Sequence, residues 1–146
     1  MSLLLGCALA HLAAARFLAS PWWVPDLTLV GLVLAVWYRP ERWLLYAVTA
    51  GLLMLIWAVR FPVPVFLAYA GCGTLVRLAV GQLTVMDDRF QVLVTTILEA
   101  GLTGIFLWLE ALWSLPLVGF ALGRVALTGL SVLVVTRLTT QRTVFS

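Results

Sequence analysis

The chain contains no lysine and no asparagine, a single histidine and two cysteines, and only 10% of its 146 residues are charged. Soluble domains are typically about a quarter charged, and so few charges cannot clothe a core in water. With no basic run, the chain lacks the electrostatic footprint of a nucleic-acid binder. Its net charge of +3 is what arginines placed at lipid headgroups produce. One histidine, His11, without a Cys/His cluster leaves no metal site to expect. Cys7 and Cys72 each fall in an apolar run, where cysteine behaves as a small hydrophobe, so no disulfide is expected. There is no glycine loop to cradle phosphate and no nucleophile beside a base, so neither enzymatic activity nor a cofactor is expected. Asp87 and Asp88, beside Arg89, are the nearest thing to a transferase carboxylate pair and read instead as the N-cap of a helix.

What the chain does have is apolar sequence: 64% of it is hydrophobic and its mean hydropathy is +1.12. These values predict an all-α polytopic membrane protein, one domain over 1–146, almost all of it inside a bilayer. A spanning helix needs about 20 apolar residues. Breaks in hydrophobicity predict six, at about 3–19, 25–38, 43–59, 64–86, 90–113 and 116–136. Pro25, Pro64 and Pro116 are each expected in a first turn, where a missing N–H costs nothing. The first segment lacks the basic n-region of a signal peptide and is expected to be retained as a helix. The tail "TRLTTQRTVFS" is expected to be a frayed end. Arg39, Arg42, Arg89, Arg137 and Arg142 would share one side of the membrane, against Arg16 and Arg60 on the other, which favours both termini in the cytoplasm. Trp22, Trp23 and Trp113 would then mark the outer interface, and Trp37 and Trp43 the inner one.

Charged groups in lipid face a protein interior and find partners. Arg77 and Glu99 stand eleven residues either side of Asp88, which puts both roughly 16 Å from that turn at 1.5 Å per residue. Equal depth predicts that they pair, with Arg124 lying between Glu99 and Glu110 to extend an intramembrane ion network. Such a network can relay protons or bind an anion, but a clamp that fixes helix register is the reading preferred here. His11 is expected to be a polar packing residue or an interhelical hydrogen-bond donor. Small residues four apart, Gly31 with Ala35, Ala100 with Gly104 and Gly119 with Gly123, together with "AGCG" (70–73), mark expected close approaches. Their clustering in helices four to six predicts that this half is the better packed. In "WWVPDLTL" (22–29), Trp22 and Trp23 anchor at the headgroups, Pro25 opens the helix and Asp26 meets the positive end of its dipole.

The stretch "VPDLTLVGLVLAVWYRPERWLLYAVTAGLLMLIWAV" resembles the second and third helices of the MreD family, small membrane subunits of the bacterial cell-elongation machinery. The features that carry the likeness are Pro25 and Asp26, Trp37 and Tyr38, Pro40 and Arg42, and Gly51. The segment "PVFLAYAGCGTLVRLAVGQLTVMDDRFQVLVTTILEAG" is similar in helix lengths and in the break before helix five. The chain departs from the family at Met54 and Leu55, where an acidic residue is usual, and at "FPVPV", where a glycine is usual. The resemblance implies a non-enzymatic, multi-pass scaffold in the bacterial inner (cytoplasmic) membrane. It would bind the bitopic protein MreC and, through the complex, RodA, a class B transpeptidase and MreB, supporting rod shape and lateral peptidoglycan synthesis. The edge at Trp22, Trp23, Pro25 and Asp26 would help receive a partner helix. The family's fold is similar to the substrate-binding S-components of energy-coupling-factor vitamin transporters, and such a subunit is the alternative function. A transporter subunit would need an outward pocket, and the very short outer loops favour the scaffold.

Overall fold

The computed structural model describes residues 1–17, 24–56, 61–82, 87–110 and 114–144, with side chains described up to Thr139. These residues contain six α-helices and no strand: α1 (Ser2–Phe17), α2 (Leu27–Tyr38), α3 (Trp43–Leu55), α4 (Pro62–Gln82), α5 (Asp88–Leu109) and α6 (Leu115–Val144). A 3-10 turn, Pro40–Arg42, joins α2 to α3. Three stretches are long and apolar enough to cross a membrane: Pro62–Gln82, Asp88–Leu109 and Leu115–Thr139. The first three helices are shorter.

Local chemistry sets the helix ends. Asp26 caps α2, its side chain accepting from the Leu29 N–H, and so satisfies one of the four donors that a helix start leaves unpaired. Pro25 therefore stands one residue before the cap and not in the first turn. The helix stops at Tyr38 because Arg39 precedes Pro40, and a residue before proline is pushed out of helical geometry. Pro62 opens α4 and Pro116 falls in the first turn of α6. Asp87 is the N-cap of α5, as its sequence context predicts.

The apolar span of α6 ends at Thr139, close to the expected 136, but the helix itself continues to Val144. Hydropathy falls there, but no proline or glycine follows Gly129. A loss of apolar character ends membrane burial, not helical hydrogen bonding.

α2 is the hub. It packs on α1, α3, α4, α5 and α6, while the outer helices pair as α3 with α4 and α5 with α6. Every residue from Thr28 to Trp37 is buried, as befits a helix that is apolar all round. At about 1.5 Å per residue its 12 residues span roughly 18 Å, well short of a ~30 Å hydrocarbon layer.

Close approaches occur at two of the expected places, Gly31 and the notch at 70–73, and not at others. A Cβ on Gly73 would lie 2.5 Å from the Ala47 Cβ, and one on Gly31 would lie 2.8 Å from that of Cys7. Gly104 and Gly119 have nothing within 4 Å of such a position. The best-packed element is thus α2, not the second half of the chain. Spacing reveals a notch but not whether a neighbour lies over it.

The exterior is apolar, unlike that of a water-soluble protein, and the largely apolar interior also encloses polar groups. Leu9, Leu67, Ile97, Leu122 and Leu130 are each more than half exposed, whereas Asp26, Gln91, Thr95, Glu99 and Thr128 are buried.

Candidate functional site: a buried polar cluster at the start of α2

The buried polar groups converge on Asp26, which is 1% exposed. Its Oδ1 accepts from the Leu29 N–H at 2.9 Å and its Oδ2 accepts from the Tyr69 hydroxyl. Its own N–H donates to Thr128 Oγ1 at 2.9 Å. One Arg124 Nη2 lies 3.7 Å from Asp26 Oδ2, and His11 Nδ1 lies 4.0 Å from Oδ1. The same His11 nitrogen is 3.1 Å from the Pro25 carbonyl. Because a carbonyl only accepts, this nitrogen carries the proton.

Arg124 links this node to α5. Its Nε–H donates to Glu99 Oε1 at 2.8 Å, a charge-assisted contact of the strong kind. The Thr103 hydroxyl reaches the same oxygen at 3.4 Å. Glu99 is fully buried, and its Oε2 has no hydrogen-bond partner among the described residues. Five segments thus meet at one level: α1 through His11, the start of α2 through Asp26, α4 through Tyr69, α5 through Glu99, and α6 through Arg124 and Thr128. Glu99 sits midway along α5, so the level is that of the helix's middle. A second contact, Thr136 Oγ1 to Gln91 Oε1 at 3.5 Å, joins α5 and α6 nearer their other ends.

The expected residues are placed unequally. Glu99 and Arg124 are brought together. Arg77 does not pair with Glu99; it stays along its own helix, with Nη1 3.4 Å from a Cβ position on Gly81. α4 packs on α3 and α2 and barely meets α5, so an equal residue count from the turn does not put the two on facing sides. Arg77 points toward the negative end of the α4 dipole. Glu110 is the C-cap of α5. Trp22, Trp23 and Trp113 lie outside the described residues. Pro25 contributes its carbonyl, and Asp26 is enclosed by its own chain rather than presented to a partner.

The sequence reading missed Asp26, Tyr69 and Thr128 as members of the cluster. A signal for Asp26 was present: counted from Tyr38, where α2 ends, it stands twelve residues up, about as far from that end as Glu99 stands from Asp88. Depth alone would have placed all three charges together. Tyr69 and Thr128, single polar groups in long apolar runs, carry no such signal.

Chemically, the arrangement is two carboxylates about one guanidinium, edged by a phenol, two threonines and an imidazole. Among the described residues no three His, Cys, Asp or Glu side chains converge as metal ligands would. Comparison with known family patterns, curated proteins and solved structures finds no match to this chain.

Proposed function

We propose that the chain is a non-enzymatic membrane scaffold of the MreD type, crossing the bacterial inner membrane six times with both termini in the cytoplasm. Its partner would be a bitopic MreC-like protein, and through it the wall-synthesising RodA, its class B transpeptidase and MreB filaments. One observation carries the choice of a scaffold over a transporter subunit. The polar groups at the centre of the bundle, one oxygen of Glu99 excepted, are directed at one another across five segments, as a framework requires. A vitamin-binding subunit would turn such groups toward a ligand. The wide apolar exterior of the outer helices is consistent with lipid and with a partner's transmembrane helix alike.

In this setting the five short connections keep nearly the whole chain in the bilayer, and the cluster lies near its mid-depth. Affinity purification from native membranes after mild crosslinking tests the reading. Recovery of cell-wall elongation proteins is the expected result. Recovery of a paired ATPase module with a bound vitamin overturns it in favour of the transporter subunit.

A further inference from the structure

We propose that the Asp26, Arg124 and Glu99 cluster is a proton-binding site, and that the bound proton resides on Oε2 of Glu99. The argument is a count of charges and donors. Two carboxylates, 1% and 0% exposed, share one guanidinium, so the cluster carries an excess negative charge until it takes up one proton. Uncompensated charge in a low-dielectric interior is costly.

The titratable or charged groups that face the cluster among the described residues are these. α1 brings His11, the start of α2 brings Asp26, α4 brings Tyr69 and Cys72, α5 brings Glu99, and α6 brings Arg124. α3 has no charged residue.

Hydrogen bonding then selects the atom. Each oxygen of Asp26 already accepts a bond from a donor, Leu29 N–H or Tyr69 O–H, and its side chain caps a helix N-terminus. A further proton on it would have to share an oxygen that already accepts a bond. Charging His11 would set a cation beside Asp26 but leave the buried Oε2 of Glu99 without a partner among the described residues. Glu99 has one oxygen occupied by Arg124 and Thr103 and one oxygen bare. A proton added there disturbs no existing bond, since Oε1 goes on accepting as a carbonyl oxygen. With Glu99 neutral, the positive charge of Arg124 serves Asp26; with Glu99 ionised, it is divided between the two. Proton uptake and release therefore set how firmly α6 is tied to the start of α2.

The test is infrared spectroscopy of the purified full chain in lipid nanodiscs at neutral pH. A protonated-carboxyl C=O band that shifts in D2O is expected in the parent chain and lost in Glu99→Gln; Asp26→Asn, which removes the excess negative charge, is expected to weaken it, so labelling of the glutamate carboxyl assigns the band. Absence of the band from the parent, or its survival in Glu99→Gln, overturns the proposal. Should Glu99→Gln fail to fold, the chain carrying Glu41→Gln and Glu110→Gln retains Glu99 as its only glutamate. Incorporating 13C-carboxyl glutamate must then move the band, and a band that stays in place overturns the proposal equally. None of these readouts depends on the protein's partners, so the proton site and the scaffold reading stand or fall separately.

Discussion

The α3–α4 pair and the α5–α6 pair are held together by different physics. α3 meets α4 through shape: Gly73 accommodates Ala47, and Gly51 accommodates the Phe66 ring. α5 meets α6 through polar groups, Glu99 with Arg124 and Gln91 with Thr136, although Gly129 also lies against Thr96. Where both helix surfaces are apolar on the outside, water-driven burial offers little preference for one partner over another, and close packing or hydrogen bonding must supply it. Shape suffices for two helices in contact. Joining a pair to a third and fourth element takes side chains that reach, which is what Arg124 does for α5, α6 and the α2 start.

The contrast predicts a graded set of outcomes. Arg124→Ala has the largest expected effect, because it leaves two buried carboxylates without their cation. A loss of about 3–5 kcal/mol is expected, seen as a large fall in the thermal midpoint of the detergent-solubilised chain. A loss below about 1 kcal/mol would mean that the polar cluster does not hold the bundle.

Gly73→Ala comes next, at about 1–3 kcal/mol of overpacking. The double variant Gly73→Ala, Ala47→Gly restores room and should recover most of the loss. If the double variant is no better than the single, shape is not what joins α3 to α4.

Tyr69→Phe removes the donor to Asp26 Oδ2 and is expected to cost about 1–3 kcal/mol, the penalty for an acceptor left without its bond. Chemical denaturation against the parent measures it. Arg77→Ala should cost least, within about 0.5 kcal/mol, since its guanidinium lies along its own helix. A penalty comparable to that of Arg124→Ala would restore the Arg77–Glu99 pair and refute the assignment of Glu99 to Arg124.

Six apolar runs, the first-turn prolines of α4 and α6 and the Asp87 cap follow from patterns local to the chain, and these the sequence conveys well. Arg77 shows what local patterns omit. Residue counting gives height along a helix, but the face depends on which neighbours the helix chooses. That choice is made by contacts such as Gly73 with Ala47, whose partners are distant in sequence. Asp26 shows a different loss. Its role as a helix cap is legible, and correct, but a residue with one adequate explanation invites no second. Only its burial, with Tyr69, Thr128 and Arg124 around it, reveals that the cap is also the centre of a network.

The length of α6 has a mechanical consequence. The helix is one continuous rod of 30 residues, gripped at Thr128, and at about 1.5 Å per residue some 24 Å of it extends from that grip to Val144. Pivoting there by about 10° would carry the far end through roughly 4 Å. A sub-ångström change in the grip of Arg124 is thereby geared up into a displacement that another molecule can feel.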